Sequence, residues 1–214
     1  MRGLQKIEQE LLRIFDDNHK PIGIAAREEV HKFGHWHETF HCWFTRIETG
    51  TLYLYFQLRS KEKKDYPSLF DITAAGHILA DESIEDGTRE VQEEIGIHVD
   101  FTELILLDVV KYCVSNKDLL DNEIAHVFLY PYTQSFDNFI LQEEEVSGIV
   151  RAELILFREL LAGKRTSLQV DGFEINQNGV RKTVHMNVDK SRFVLHEDTY
   201  YVRVLDLIEE YYKK

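Results

Sequence analysis

The sequence predicts an α/β sandwich built as one domain with an extension. A chain of 214 residues is long enough to bury a hydrophobic core. Segments rich in aromatic and β-branched residues predict strands, and between them lie segments with helical spacing that end near glycine. Such a mixture of strands and helices is typical of helical layers packed on a sheet.

The N-terminal third is predicted to form strands joined by turns. Residues 12–15 and 22–25 flank a turn rich in Asp, Asn and Pro, so we predict a hairpin there. Residues 40–44 and 51–58 are aromatic and β-branched, and they predict two further strands linked by a polar loop.

A strand, a glycine loop and a helix follow in the middle of the chain. Residues 71–75 predict a short strand that ends at Gly76, and residues 85–95 predict a helix that ends with Gly96 in the C′ position. The elements predicted next are strands at 104–114, 124–130 and 148–154 and a helix at 157–161.

The last part of the chain, residues 164–214, is predicted to be a C-terminal extension. Residues 170–175 and 180–188 flank a turn rich in Asn and Gly and predict a hairpin. A final helix, capped by Asp198 or Thr199, is expected to dock on the core, because apolar and aromatic residues recur in it at helical spacing. These residues are Tyr201, Val204, Leu205, Ile208 and Tyr212. The extension could also pack across a homodimer interface.

The composition limits the partners and the location of the protein. With 25 Lys plus Arg against 38 Asp plus Glu, the formal net charge of −13 repels polyanions and argues against general nucleic-acid binding. No apolar run approaches the ~20 residues of a membrane-spanning helix, and residues 1–8 lack the apolar segment of a signal peptide. Cys42 and Cys113 do not amount to a disulfide framework. We therefore expect a cytoplasmic protein that does not enter membranes.

Three glutamates of the predicted middle helix are the first candidates for chemistry. Glu90, Glu93 and Glu94 stand at i, i+3 and i+4, so their carboxylates share one helix face, while Val91 and Ile95 share another that can face the core. Like charges at these spacings cost roughly 0.2–0.5 kcal/mol each on an isolated helix. Because carboxylate oxygens suit Mg²⁺ or Mn²⁺, the three residues predict a metal site; the alternative is a solvated acidic face.

The residues around these glutamates match a known motif. Residues 89–97 read Arg-Glu-Val-x-Glu-Glu-x-Gly-Ile, which resembles, position for position, the second half of the Nudix box. The resemblance implies a Nudix-type α/β/α sandwich with a mixed sheet, in which this helix and the glycine loop before it form a pyrophosphate site. It also implies that Glu90, Glu93 and Glu94 hold a divalent metal, Mg²⁺ or Mn²⁺, and that Arg89 orients a carboxylate through a salt bridge.

The first half of the box departs from the family pattern. The family has seven residues between its first glutamate and its arginine, whereas six separate Glu82 from Arg89. Either Glu82 keeps the family role beside Gly76 through a shorter turn, or Asp81 takes that role with Ala75 in the glycine position. We prefer Glu82, because the five residues between it and Gly76 preserve the loop spacing. Gly76 and Glu82 are therefore expected to contribute to the diphosphate–metal site.

Outside the box a second resemblance is carried by residues 15–18, 57–60, 75–77 and 121–123, with Lys64 and Pro67. Over roughly residues 10–163 the chain resembles the Nudix proteins related to isopentenyl-diphosphate isomerase. In those isomerases a cysteine directly before a Gly-His pair takes part in proton transfer, and here Ala75, which has no transferable proton, occupies that position. Glu123 matches a second isomerase glutamate and could act as metal ligand or general base. We therefore expect an N-terminal hairpin segment at 1–35 and a catalytic core at 36–163.

Five histidines raise the question of a second metal site. His37 and His77 fall near metal-binding positions of the isomerases. The alternative is that His37 and His41 alternate along a strand and line a half-polar face, since no compact zinc motif is present. Glutamates 143–145 are likewise either ligands in a family-type loop or part of a solvated turn. The five histidines are His31, His35, His37, His41 and His77.

The implied function is hydrolysis of a phosphoanhydride in a small molecule that contains a diphosphate. A metal on Glu90, Glu93 and Glu94 would activate the attacking water, with Glu94 or Glu123 as base. Together with Arg89 these residues are the predicted catalytic and metal-binding set. An isomerase-like enzyme and a Nudix-fold binding or regulatory module without turnover are the alternatives.

Overall fold

The computed structural model describes residues 10–116 and 119–214. Within these residues eleven strands form one sheet and four α-helices pack against it. None of the described helices is long and apolar enough to cross a bilayer. The expectation about a signal peptide concerns residues 1–8, which lie outside the described residues.

The strands and helices have the following bounds. The strands of the first half are β1 (Leu11–Phe15), β2 (Pro21–Ala26), β3 (Trp36–Glu48), β4 (Thr51–Arg59), β5 (Phe70–Ile72) and β6 (Ala74–His77). Those of the second half are β7 (Ile105–Asn116), β8 (Leu119–Pro131), β9 (Val146–Glu153), β10 (Leu168–Ile175) and β11 (Arg181–Val188). The helices are α1 (Arg27–Phe33), α2 (Thr88–Ile95), α3 (Leu154–Leu161) and α4 (Asp198–Tyr212).

Both predicted hairpins are confirmed, as β1–β2 and β10–β11. The single strand predicted at 71–75 is wrong, because the chain changes partner at Thr73: β5 pairs with β4 and β6 pairs with β3. The Thr73 hydroxyl donates to the Tyr55 carbonyl over 2.6 Å and accepts from the Phe44 amide over 3.1 Å. Hydrogen bonds of this side chain thus replace backbone hydrogen bonds where the chain changes its strand partner. Helix α1 was not predicted, since its seven residues are too short to display a clear apolar period.

The predicted helix at 85–95 begins later as an α-helix. Residues 85–87 form one turn of 3₁₀ helix, and α2 starts at Thr88. Gly96 ends it in the left-handed region, with φ 71°, and its amide donates to the Gln92 carbonyl. The predicted cap of the final helix is wrong. Glu197 is the N-cap residue and makes no side-chain cap bond, while Asp198 binds the Lys190 ammonium over 2.7 Å.

Strand β3 occupies the centre of the sheet and decides where the cavity lies. Along the main path the strand order is β11-β10-β9-β4-β3-β1-β2. β3 also pairs with β6 in antiparallel and with β8 in parallel orientation, so the sheet is mixed, as predicted. Most of its strand pairs are antiparallel. This topology places the first half of β3 between β6 and β8. Side chains of three strands distant in sequence therefore meet there.

The alternation of side chains along β3 creates a core on each face of the sheet. Trp43 packs into the core that α3 and α4 cover, whereas Phe40, Cys42 and Phe44 pack into the core that α2 covers. Each of these four residues is fully buried, and burying such a side chain contributes roughly 1.5–3 kcal/mol. Helices on both faces confirm the α/β/α sandwich.

The C-terminal segment joins the rest of the molecule through the sheet and through one core. β10 pairs with β9, and α4 buries residues of its apolar face in the same core as β4. The domain bounds at residues 35 and 163, and the homodimer, stay predictions. Cys42 is buried, Cys113 is exposed, and both are free thiols.

Candidate active site

A cavity of about 930 Å³ lies where β3, β6, α2 and the segment before α4 meet. Its lining includes the seven residues that the sequence proposed for the diphosphate–metal site and for catalysis, namely Gly76, Glu82, Arg89, Glu90, Glu93, Glu94 and Glu123. It also includes residues that the sequence did not propose, among them Glu10, Asp71, Tyr112 and His196. The site therefore draws on the whole length of the chain.

From α2, Glu94 presents a buried carboxylate to this cavity and Glu90 presents a largely buried one, with 14% of its side chain exposed. Glu94 is 7% exposed, and its Oε2 accepts hydrogen bonds from the Gln57 side-chain amide over 3.0 Å and from the Ala75 amide over 3.2 Å. The Glu90 carboxylate lies directly over Gly76, where an added Cβ would overlap with it. Glu93 is more open, with 41% of its side chain exposed.

For both carboxylates the effect of burial outweighs the positive charge nearby. Burial raises the pKa of Glu90 to about 7, although the charge of Arg89 opposes that effect. Burial, followed by the charge of Glu90, raises the pKa of Glu94 to about 8. Carboxylates whose ionised forms are disfavoured in this way fit a divalent cation with a preference for oxygen ligands.

The three helix glutamates do not converge into one compact group in the structure. Among the described residues, the carboxylate atoms of Glu90, Glu93 and Glu94 do not all lie within 4.8 Å of one another. Arg89 accounts for part of the separation, because it forms ion pairs with Glu90 and, at 3.7 Å, with Glu93. A cation shared by the three glutamates would require Arg89 or the carboxylates to adjust.

Arg89 spans the shortened loop and binds Glu82. Its Nε donates to Glu82 Oε1 over 2.5 Å, and its Nη2 donates to Glu82 Oε2 over 3.0 Å and to the His77 carbonyl over 2.9 Å. The Leu79 amide donates to the same Glu82 carboxylate over 2.8 Å. Asp81, the alternative for this position, is exposed. Glu82 therefore anchors the arginine and the loop together.

Glu123 lies on β8 at the floor of the cavity and is held by three donors. Its Oε2 accepts from the Thr39 hydroxyl, the Tyr112 hydroxyl and the His41 ring, each over 2.9 Å. Burial alone would raise the pKa of Glu123, but the charge and hydrogen bond of His41 outweigh it and hold that pKa well below its usual range. Glu123 is thus a stable anion.

Three of the five histidines meet next to this floor. One ring nitrogen of each of His31, His37 and His77 lies within 4.8 Å of the other two. Asp121 Oδ1 is 3.3 Å from His31 Nε2 and 3.4 Å from His37 Nε2, and in the described part of the chain none of these three atoms has a hydrogen-bond partner. His77 Nδ1 is 3.3 Å from Glu10 Oε2. Burial, then the charge of His77, lowers the pKa of His37 to about 4. Unbonded buried nitrogen and carboxylate atoms fit a metal with mixed ligands.

The remaining residues proposed from sequence separate into two groups. His41 belongs to the Glu123 network rather than to the histidine group, and His35 is not part of that group. Glu145 lines the cavity and forms an ion pair with Lys63, whereas Glu143 and Glu144 are exposed. Of the three consecutive glutamates, one faces the site.

The structure adds a polar group that the sequence did not predict. His196 Nε2 lies 2.7 Å from Asp71 Oδ1, and Arg59 Nη1 donates to Asp71 Oδ2 over 2.9 Å. Burial alone would raise the pKa of Asp71, but His196 and Arg59 hold it well below its usual range. Asp71 and His196 are 125 positions apart in the chain, so no local pattern indicates their contact.

The sequence is similar to characterised and uncharacterised proteins of one superfamily. No protein-family model matches the chain. It is 37% identical over 206 residues to an uncharacterized Nudix hydrolase of Clostridium acetobutylicum, and the match covers 96% of this chain and 100% of that protein. It is 36% identical over 142 residues to Nudix hydrolase 3 of Arabidopsis thaliana, over 64% of this chain and 18% of that protein. An isopentenyl-diphosphate Delta-isomerase of Corynebacterium diphtheriae is 31% identical over 149 residues, which are 67% of this chain and 79% of that protein.

Solved structures agree on the fold. A protein of Deinococcus radiodurans superposes with a TM-score of 0.54 at 16% identity, over 72% of this chain and 88% of that chain. A MutT/Nudix family protein of Enterococcus faecalis superposes with a TM-score of 0.50 at 12% identity, over 83% of this chain and 62% of that chain. At these identities the likeness concerns the fold alone.

Proposed function

We propose, since this chain belongs to the Nudix hydrolase superfamily, that it is a metal-dependent hydrolase which cleaves a phosphoanhydride in a small molecule containing a diphosphate. The observation that carries the proposal is the pair of carboxylates on the wall of the cavity, the buried Glu94 and the largely buried Glu90, both with raised pKa values. Buried acids with raised pKa values in a cleft are typical of functional sites.

Each residue of the acidic helix has a role in this proposal. Glu90, Glu93 and Glu94 would hold the cation, and Gly76 leaves the space that the Glu90 carboxylate needs. Mg²⁺ bound there would offset the charge of the diphosphate and activate a water for attack on phosphorus. Arg89, fixed by Glu82, sets the position of the Glu90 carboxylate.

We assign the role of general base to Glu94 rather than to Glu123. The three hydrogen bonds that Glu123 accepts stabilise its ionised form, so that it accepts a proton poorly. Glu94 accepts hydrogen bonds from the neutral amides of Gln57 and Ala75, and both are weaker stabilisers of a carboxylate than a cationic partner. In this arrangement Glu123 organises the floor of the cavity.

The histidine group gives the site a second position for a cation. His31, His37, His77 and Asp121 would supply three imidazole nitrogens and a carboxylate oxygen, a ligand set that suits Mn²⁺ or Zn²⁺ better than a purely oxygen-bound ion. Glu10 lies beside His77 and would orient its ring.

The second candidate is an isomerase acting on isopentenyl diphosphate, since isomerases are among the relatives and since Glu123, His31 and His77 line the cavity. Ala75 argues against it, because the side chain offers no proton at the position of the isomerase cysteine. A module that binds a diphosphate without turnover is the third candidate.

One assay separates the three candidates. The protein is incubated with Mg²⁺ and a panel of nucleoside diphosphate sugars, ADP-ribose, dinucleoside polyphosphates, NADH, CoA and isopentenyl diphosphate, and products are separated by chromatography. Hydrolysis of a panel member supports the proposal, an isomerised allylic diphosphate would replace it with the isomerase, and tight binding without product would replace it with the module.

The metal assignment is tested by the double substitution Glu93→Gln and Glu94→Gln, which preserves shape and removes charge. We expect Mg²⁺-dependent turnover to fall roughly a hundredfold or more, because both metal ligation and proton transfer are affected. The matched control is Glu143→Gln with Glu144→Gln, two adjacent exposed glutamates. Undiminished turnover in the first double variant would show that these glutamates do not hold the catalytic metal.

A further inference from the structure

The segment before α4 forms a cavity wall that the proposed hydrolysis does not use. Phe193 forms a β-bridge with Phe70, and the Val194 amide donates to the Phe70 carbonyl over 2.8 Å, so this segment extends the sheet beside β5. The pairing places His196 against Asp71, with 9% of each side chain exposed. A residue from the end of the chain thereby faces the substrate cavity.

Both ring nitrogens of His196 have polar partners. Nε2 contacts the Asp71 carboxylate over 2.7 Å, and a carboxylate only accepts. Nδ1 lies 3.3 Å from the Tyr112 hydroxyl, whose single hydrogen is already donated to Glu123. His196 thus connects two buried anions, Asp71 and, through Tyr112, Glu123.

Arg59 and Asp71 keep unused hydrogen-bonding capacity at this wall. The guanidinium of Arg59 has five N–H groups, and its bonds to Asp71 and to the Asp65 carbonyl occupy three of them. Asp71 Oδ1 accepts from His196 and from the Ile72 amide, whereas Oδ2 accepts from Arg59 alone among these bonds. Each carboxylate oxygen accepts up to about two hydrogen bonds. Arg59 can therefore donate a hydrogen bond to a ligand at this wall, and Asp71 can accept one.

We propose that Asp71 determines which group may be attached to the diphosphate, and that His196 is the positioning residue that holds Asp71 in place. The group selected is polar, bearing hydroxyl or amide functions that both donate and accept, and a hydrocarbon chain is rejected. This inference rests on the proposed function, because it assumes that the diphosphate lies at the acidic helix of the same cavity.

The physical reason is the cost of desolvation. A hydrocarbon placed against Asp71, Arg59 and His196 would remove water from charged groups without replacing its hydrogen bonds. A polar group would replace those bonds, and sites built around such contacts discriminate strongly against analogues that lack them. The Glu90 and Glu94 face would bind the diphosphate equally in both cases.

Binding is measured by calorimetry with methylene-bridged analogues, in which P–C–P replaces the hydrolysable P–O–P, in the presence of Mg²⁺. The three probes are the analogues of uridine diphosphoglucose, of geranyl diphosphate and of methyl diphosphate, the last of which reports the diphosphate site alone. The variants are His196→Phe, which removes both ring nitrogens, His196→Gln, which keeps a side-chain amide donor, and Asp71→Asn. The matched control is His185→Phe, since His185 forms an exposed pair with Asp171 on the β10–β11 hairpin, away from the cavity.

The native protein is expected to bind the sugar nucleotide analogue at least about tenfold more tightly than the geranyl analogue. His196→Phe and Asp71→Asn should weaken binding of the sugar nucleotide analogue by about tenfold or more and leave binding of the methyl analogue unchanged. His196→Gln should retain most of the affinity for the sugar nucleotide analogue. Equal binding of the geranyl analogue by the native protein, or equal weakening of all three probes in a folded variant, would overturn the proposal. If His196→Phe does not fold, the affinities of Asp71→Asn and His196→Gln for the three probes are compared instead, and the same criteria apply. Failure of the proposed function alone would appear as selective binding without hydrolysis of the P–O–P compounds.

Discussion

At the scale of single residues, Gly76 makes room for a buried charge. The backbone of β6 passes so close to α2 that only a hydrogen fits between the Gly76 Cα and the Glu90 carboxylate. Glu90 in turn pairs with Arg89, which binds Glu82. A substitution at Gly76 should therefore act on the position of a carboxylate more than on the strand itself.

We predict that Gly76→Ala lowers Mg²⁺-dependent turnover by roughly a hundredfold, because a displacement of about 1 Å in a catalytic group can have an effect of that size. Steady-state kinetics and a Mg²⁺ titration measure the effect. The control is Gly23→Ala on β2, where the added Cβ would meet only the Ile14 side chain at 3.8 Å. Wild-type kinetics in Gly76→Ala would mean that Glu90 moves aside freely and that its observed position is not required.

At the scale of elements, the C-terminus of α2 is determined by one backbone conformation and one contact. Gly96 has φ 71°, and a Cβ there would lie 2.5 Å from the Ile140 carbonyl oxygen. The loop that contains Ile140 is also bound to α2, because the Ile140 amide donates to the Ile95 carbonyl and the Gln142 amide to the Glu94 carbonyl. The position of Glu94 therefore depends on this junction.

Gly96→Ala and Gly163→Ala separate the two effects. Gly163 also has a positive φ, 67°, but an added Cβ there meets nothing within 4 Å. We expect Gly163→Ala to lower the free energy of unfolding by about 1–2 kcal/mol, the cost of the left-handed region. Gly96→Ala should cost a further ~1–3 kcal/mol for the steric overlap. Urea unfolding measures both, and equal losses would contradict the role given to the Ile140 contact.

At the scale of the whole molecule, two buried anions connect distant parts of the chain. Asp71 joins β5 to the C-terminal segment through His196, and Glu123 joins β8 to β3 through Thr39 and His41. Both carboxylates have pKa values well below their usual range. Since a depressed pKa means that the folded state favours the ionised form, each group stabilises the fold above its unfolded pKa and loses that contribution as the pH falls toward its folded pKa.

Acid sensitivity follows from these two groups. We expect the free energy of unfolding to fall steeply below about pH 4, where the unfolded chain begins to take up protons on such carboxyls. Asp71→Asn should be less stable than the native protein at pH 7, and this difference in the free energy of unfolding should shrink as the pH falls below about 4. Urea unfolding at a series of pH values tests this. A difference that stays constant with pH would show that Asp71 stabilises the fold by packing and not by its charge.

The core elements of the fold were accessible from sequence because their signals are local. Alternation along β3, the apolar face of α2 and the turn residues of both hairpins depend on neighbours a few positions apart, and the structure has those elements. The short helix α1 and the partner change at Thr73 were missed, since both depend on which strand lies next to the segment.

In the candidate site, too, the features with local sequence signals were predicted and those that depend on tertiary contacts were not. The Nudix motif, the family resemblance and the acidic face of Glu90, Glu93 and Glu94 were predictable from the chain alone, because helical spacing and a nine-residue motif are properties of adjacent residues. The fold is needed to bring His31, His37 and His77 together beside Asp121, and to place His196 against Asp71. Those contacts arise from strand order and from the path of the C-terminal segment. Such pairings depend on packing across the sheet, which no spacing along the chain encodes.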